Sequence, residues 1–486
     1  MKDTRFIKLI RTFSKEELKS FDKFLQSPYL KPARDTTELF YYISKFYPDY
    51  DNAKLEKEKV FKSLFKNESY NEKKLLNLIF DLTNAAEDFL ALNTIMDDET
   101  EFLLNLSKGY MKKNLIEESN RVNKIIEKKL VPGFSQSKDY ISKFRELSYL
   151  KSSYFTEIHD FEKHLLNEKD YFETSAVQFI IDYTRIIESV AIAQNTYGIN
   201  LNSNFIDSVI SSFDLERLLT ALEKSDNKNK HLILLHYYIL KSKLDVDNVR
   251  FYELMRDLFY ELLPELDREE RCFIFNHLST YCARKFGKDK MFLKEGLEVY
   301  KKMLENNAYS ESETEYMQVP TYRNILMTCK SLNETKWFEY FIEEYSDCLH
   351  PEFREDLKNY AYAHLFFMKK EFEKSLSIVS RINQDLFLFK PDLKNLMLPL
   401  YYELDHIEAA FSMVDSYKHF LANTKEVSES IKKYSVNFLG FYYNLLKIKS
   451  GQSKEKAGYF KDLIEKEKTV INRIWLLEKA SELSKK

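Results

Sequence analysis

The sequence predicts an all-α protein, with antiparallel helical hairpins stacked one on the next behind a small N-terminal helical module. Three observations predict it. Residues 356–421 repeat at an offset of 35, with Phe372 matching Ile407 and Ser375 matching Ala410. Glycine occurs 8 times and proline 9 times in 486 residues, so helix breakers are scarce. No segment alternates apolar and polar residues between glycine or Asn-Gly turns, as half-buried strands do. A chain of this length also exceeds what one compact core usually supports, so several domains or an extended repeat are expected.

The repeat reads as two hairpins: helices over 359–368 and 372–382, then over 392–404 and 407–421. Ala363 and Ser375 lie 12 positions apart, one on each helix of the first pair. Antiparallel helices approach to roughly 8–10 Å only where the crossing side chains are small. Phe366, Phe372 and Val379 fill the seam beside that crossing. One apolar face remains, and a second hairpin stacked on the first buries it.

With small residues at both crossings, an aromatic on each helix and a period near 34, this pattern resembles the tetratricopeptide repeat. A third match is Leu103, Leu106, Ser107, Tyr110, Ile116 and Ser119. A weaker fourth has Thr328, Trp337 and Tyr340 at the same offset, with Ser331 and Glu344 where apolar residues belong. Leu398 replaces the small residue in the 392–421 hairpin. The resemblance implies a TPR-like α-solenoid, a right-handed superhelix whose concave wall is lined by the first helix of each hairpin. Carried over by position, the candidate peptide groove is Tyr360, His364 and Phe367, then Asn395 and Tyr402, with Pro399 between the last two. The family's clamp for a peptide C-terminal carboxylate pairs a Lys with an Asn one turn later. Those positions hold Tyr360 and His364, then Asn395 and Pro399, so that clamp is not supported. Pro399 removes a hydrogen bond inside its helix and predicts a kink.

From the start of the chain, Phe6, Leu9, Ile10 and Phe13 share one face of a basic helix. It is expected to pack on its own module rather than lie on a membrane. Ser14 and Glu17 form a capping box for the next helix. Helices follow at 36–46, 57–65 and 71–93. The phrases FSKEELKSFDKFLQSPYL, LEKEKVFKSLF and YNEKKLLNLIFDL resemble the opening module of a set of bacterial helical-repeat proteins, a likeness that brings no activity with it. Asp97, Asp98, Glu99 and Glu101 lack the alternating ligands and central glycine of a calcium loop, and suit the positive end of the helix that follows. Val131-Pro132-Gly133 is a break. Residues 171–197 are apolar enough for burial on more than one side. Residues 224–230, KSDNKNK, are the candidate joint between two arms, and 307–317 the candidate mobile loop. The last helices fall at 425–449, at 453–467 and from 470, the final one capping the stack.

Chemistry finds little purchase. No two glycines lie closer than seven residues, so phosphate-cradling glycine loops are absent, as are GxSxG and HExxH. His159/His164 and His231/His236 are each five apart, about 140° around a helix, so their rings diverge. Glu403 and His406 form a single ExxH, where a di-iron bundle needs two and further glutamates. The four cysteines show no CxxC spacing, and Cys272 and Cys282 are too far apart on one helix to pair. No signal peptide and no apolar run of about 18 residues is visible, which predicts a cytoplasmic protein without a membrane span. The net charge of -3 argues against a broad polyanion-binding surface. Residues 1–80 hold 17 Lys/Arg against 12 Asp/Glu, the one local basic excess.

The sequence therefore divides into an N-terminal module (1–95), a first arm of hairpins (96–226) and a second arm of TPR-like hairpins (227–486). It predicts a non-enzymatic protein-interaction scaffold or regulator that binds another protein or peptide and uses no cofactor or metal. The alternatives are nucleic-acid binding through the basic module and an enzyme whose site is assembled from distant helices.

Overall fold

A computed structural model describes residues 1–27, 34–130, 137–197, 199, 208, 212, 214–224, 227, 229–286, 290–382, 390–424, 427, 429–452, 457–467 and 469–484. Among them the regular structure is entirely helical. In chain order the α-helices are α1 (Arg5–Ile10), α2 (Lys15–Leu25), α3 (Thr37–Ser44), α4 (Lys57–Leu64), α5 (Glu72–Asp97), α6 (Glu99–Lys112), α7 (Ile116–Lys129), α8 (Lys138–Glu157), α9 (Phe161–Tyr197), α10 (Leu215–Glu223), α11 (Lys230–Leu244) and α12 (Val249–Leu262). They continue as α13 (Arg268–Phe286), α14 (Met291–Glu305), α15 (Val319–Leu332), α16 (Thr335–Tyr345), α17 (Pro351–Met368), α18 (Phe372–Val379), α19 (Lys390–Glu403), α20 (Ile407–Asn423), α21 (Glu429–Lys449), α22 (Ala457–Lys466) and α23 (Arg473–Ser484). No helix among the described residues is long and apolar enough to cross a membrane.

The chain divides into two compact units, Met1–Val131 with Arg145–Tyr171, and Pro132–Phe144 with Phe172–Lys486. In the first unit, Phe6, Ile7, Ile10 and Phe13 are buried against α2 to α5, so the opening helix packs on its own module. The core there is aromatic: Phe21 meets Phe40 edge-on at 5.2 Å and Phe89 at 5.3 Å. The Ser14–Glu17 capping box forms as expected. The acidic run also behaves as expected. Asp98 caps α6, accepting from the N–H groups of Thr100 and Glu101 at 3.0 Å.

The hairpins share one turn. Asn114, His159, Asn333, Lys370 and Asp405 all have left-handed φ between 55° and 61°. In each case the next residue's N–H reaches back five residues to a helix carbonyl, as in Glu371 to Phe366 at 2.9 Å and His406 to Tyr401 at 2.9 Å. This is the Schellman closure, normally given to glycine because a Cβ is strained there. Asn and Asp tolerate it; His and Lys are held in it by the packed helices on either side.

Turn and crossing keep a fixed register, with the crossing residues 12 apart. Ser107 Oγ and Ser119 Oγ are 2.7 Å apart and fully buried between α6 and α7. Ser152 Oγ meets His164 Nδ1 at 2.9 Å between α8 and α9. Ser375 Oγ donates to the Ala363 carbonyl at 2.6 Å between α17 and α18. Leu398 and Ala410 take these places between α19 and α20. The α15–α16 pair corrects the sequence frame. Its turn residue Asn333 lies 37 positions before Lys370, not 35. The buried crossing pair is therefore Leu326 and Phe338, while Tyr340 is 51% exposed. The offset misled because it assumed a constant loop length.

In the second unit each helix from α13 to α21 packs on its chain neighbours. Helix α15 also packs on α17, α17 on α19, and α19 on α21. Two expectations fail here. Val177, Ile180 and Ile181 of α9 are buried, but Phe172, Phe179 and Ile186 on its other side are exposed, so burial is one-sided over that stretch. The supposed mobile loop is pinned: Arg268 donates to Ser310 O and Oγ at 3.1 and 2.9 Å, and Met317 N–H reaches Cys348 O at 2.8 Å. The 131–133 break and much of the 224–230 joint lie outside the described residues.

Helix α19 runs through Pro399. The missing N–H leaves the Asn395 carbonyl without its intrahelical donor. The side-chain amide of Asn472, ahead of α23, donates to it at 2.7 Å. Asn472 sits at φ 53°, so glycine is the strain-free deletion. Asn472→Gly is expected to cost about 1–3 kcal/mol by orphaning a buried carbonyl. Combined with Pro399→Ala, which restores a backbone donor, the cost falls. Urea denaturation of the two single variants and the double variant measures the coupling.

Candidate functional site

Helices α15, α17 and α19 carry the residues singled out for the groove, and the structure places them unevenly. Tyr360, His364 and Asn395 are buried, as is Tyr402. They do not form an open wall, because the neighbouring first helices close over them. Phe367 alone is partly exposed. Tyr402 belongs elsewhere: its ring meets Trp475 edge-on at 5.2 Å, and Lys449 Nζ donates to its carbonyl.

Around Tyr360 and His364 the structure gathers charges that the sequence had not connected. Arg323 on α15 grips Asp392 on α19 through two hydrogen bonds, Nε to Oδ2 and a terminal nitrogen to Oδ1 at 2.8 Å. Such fork geometry fixes both partners. Burial, and then the Asp392 charge, raises the Tyr360 hydroxyl well above its ordinary pKa. The His364 ring stands edge-on to Tyr360 at 4.6 Å. Neither of its nitrogens has a hydrogen-bond partner among the described residues. Burial, then the charges of Lys330 and Arg323, holds its pKa well below 6.5, so the ring is neutral near pH 7.

Lys330, in the last turn of α15, completes the group. Its ammonium lies 5.7 Å from the centre of the Phe367 ring. Burial pulls it down to about 8, with Asp392 acting in the opposite direction and Arg323 in the same one. Asn395 lies one turn beyond Asp392 on the same face of α19, and its Oδ1 has no partner. Lys330 and Arg323 against Asp392 leave one positive charge in excess.

Sequence reasoning found Tyr360, His364, Phe367 and Asn395 through the repeat register but missed Arg323, Lys330 and Asp392. The 35-residue frame slipped by two at α15, which hid Arg323 and Lys330, while Asp392 falls at a repeat position outside the groove set. Correct registration on the Asn333 turn aligns Arg323 with Tyr360 and Lys330 with Phe367, and was the signal that could have found those two.

The other histidine and cysteine candidates have structural partners or no constellation. His236 Nε2 is 3.0 Å from Glu270, and Trp475 Nε1 donates to Glu403 at 2.7 Å. His406 stands in the turn ahead of α20. The four cysteines are free thiols, three of them buried. Comparison with protein-family models, with curated proteins and with solved structures finds no match.

Proposed function

We propose that the chain is a helical-repeat docking protein, a non-enzymatic scaffold or regulator whose recognition face lies on α15, α17 and α19. The observation that carries this reading is the packing of alternate helices on one another, α15 on α17 and α17 on α19. Such packing brings Arg323, Lys330 and Phe367 to one partly exposed face. A scaffold of this kind positions side chains without needing a reactive group.

The nucleic-acid reading draws less support. Several of the N-terminal module's cations are engaged in internal pairs: Lys2 with Asp51, Arg5 with Glu87, Arg34 with Asp81 at 2.7 Å, Lys57 with Glu72 at 2.7 Å and Lys74 with Glu68 at 2.7 Å. Paired cations release fewer counterions on binding a polyanion. Tagged co-purification from the native cell at low and high salt, with protein and nucleic acid both quantified, separates the readings. The docking reading expects a stoichiometric protein that survives high salt. Nucleic acid lost at high salt, or a bare chain under both conditions, overturns it.

A further inference from the structure

We propose that α20 and α21 hold a site for a small amphipathic anion, with an apolar tail in the cleft between them and an anionic head on Lys418 and Lys433. The site shares no residue with the docking face and stands or falls independently of it.

The cleft measures about 400 Å³, toward the lower end of the range for small-molecule sites. Its α20 wall carries Lys418, Leu421 and Ala422, and its α21 wall Lys432, Lys433 and Val436. Residues three and four apart on a helix are neighbours, so each wall sets lysine beside apolar surface. Leu421 is buried at the floor, while Val436 is 54% exposed and presents a branched apolar side chain to water. Covering such surface is favourable in proportion to the area removed from water. Asn437, also on the cleft, has its amide committed to Thr469 at 2.9 and 3.1 Å.

Charge at the rim decides what kind of apolar group fits. Lys432 Nζ pairs with Glu429 Oε1 at 2.8 Å. Among the described residues Lys418 and Lys433 have no carboxylate within ion-pair distance, and the Lys418 ammonium lies 4.8 Å from the centre of the Tyr443 ring instead. Three lysines against Glu429 leave two positive charges in excess around the cleft. A neutral apolar ligand would leave that excess unanswered, and a cation would be repelled by it. Lysine is a point charge on a flexible stem, so it selects the head by charge rather than by shape. The stems themselves add apolar surface to the walls. The ligand so defined is an alkyl or aryl body with a carboxylate or phosphate head.

Acylation footprinting of the full chain, read by mass spectrometry, tests the site with sodium octanoate as the probe. Octanoate is expected to slow labelling of Lys418 and Lys433 saturably, while the exposed Lys8 of the first unit labels as before. Equal slowing at Lys8, or none at any lysine, would overturn the site. Octanoate is expected to act at roughly tenfold lower concentration than hexanoate, from its two added methylenes. Equal midpoints would overturn the apolar tail. Lys433→Glu alters an exposed side chain without an ion pair, and a thermal melt checks that the fold is kept. Protection of Lys418 is then expected to need roughly tenfold more octanoate, as one contact charge is reversed. An unchanged midpoint would overturn the role of Lys433. Protection by acetyl-Glu-Leu-Glu amide but not by octanoate would overturn the small ligand in favour of an acidic peptide.

Discussion

Replacing Glu270 by alanine is expected to destabilise the second unit by about 3–5 kcal/mol, the cost of removing one partner from a buried charge network. Glu270 is 1% exposed. One of its oxygens accepts from Arg185 at 2.6 Å, and the other lies 3.0 Å from His236 Nε2. Burial alone would push the carboxyl up, but His236 and Arg185 override it and hold Glu270 at about 2. A second network sits seven residues further along both α11 and α13. Glu188 there pairs with Lys243 and with His277 Nδ1 at 3.2 Å, while His277 Nε2 faces Ser242 Oγ at 3.0 Å. Glu188 is also held at about 2, against its burial, by His277 and then Lys243.

The sign of the pH effect follows. Both folded-state values lie below the ordinary 4.5 of an unfolded glutamate. Their contribution is fully present above about pH 4.5 and is lost as pH falls toward 2. Urea midpoints measured between pH 7 and pH 3 are expected to fall steeply below pH 4.5, and less steeply in Glu270→Ala. A variant as stable as the parent at pH 7 would show that the network is not holding the unit together.

Trp475→Ala is expected to cost about 3–5 kcal/mol, the range for truncating a large buried ring. Trp475 is 9% exposed, stands edge-on to Tyr402 and stacks on Tyr442 at 6.0 Å. Its indole N–H holds Glu403 at 2.7 Å, and Glu403 also pairs with Lys479 at 3.0 Å. Because Asn472 supports the broken hydrogen-bond ladder of α19 from the same corner, loosening α23 should propagate into α19. Amide hydrogen exchange is expected to rise through α19 to α23 and to stay unchanged in α1 to α5. Uniform protection throughout would contradict a local role.

How far the sequence carries is clearest at the crossings. The pairs Ser107/Ser119 and Ala363/Ser375 were readable because both members are small, which is the property that helix approach demands. Ser152/His164 and Leu326/Phe338 occupy equivalent places with residues that carry no such signature. The shared turn was hidden for a related reason. Asn, His, Lys and Asp stand where glycine would have announced a left-handed residue. Long-range pairing was out of reach altogether. Arg185 meets Glu270 across 85 positions, and Asn472 meets Asn395 across 77. Nothing in local periodicity encodes which of many lysines and glutamates will meet. The same limit explains the groove. Register placed Tyr360, His364 and Asn395 on the right helices, but their burial depends on how closely the next helix packs.

The most direct test of the docking face compares co-purification by the parent chain, by Lys330→Glu and by a charge reversal in the first unit, Lys8→Glu. Lys330 is only partly exposed, so a thermal melt checks that the folded state tolerates the change. The account predicts that Lys330→Glu lowers recovery of the protein partner about tenfold, the effect of losing roughly 1.4 kcal/mol, while Lys8→Glu leaves it unchanged. Equal recovery by the parent and Lys330→Glu, or loss only with Lys8→Glu, would contradict it and move the recognition surface away from α15, α17 and α19.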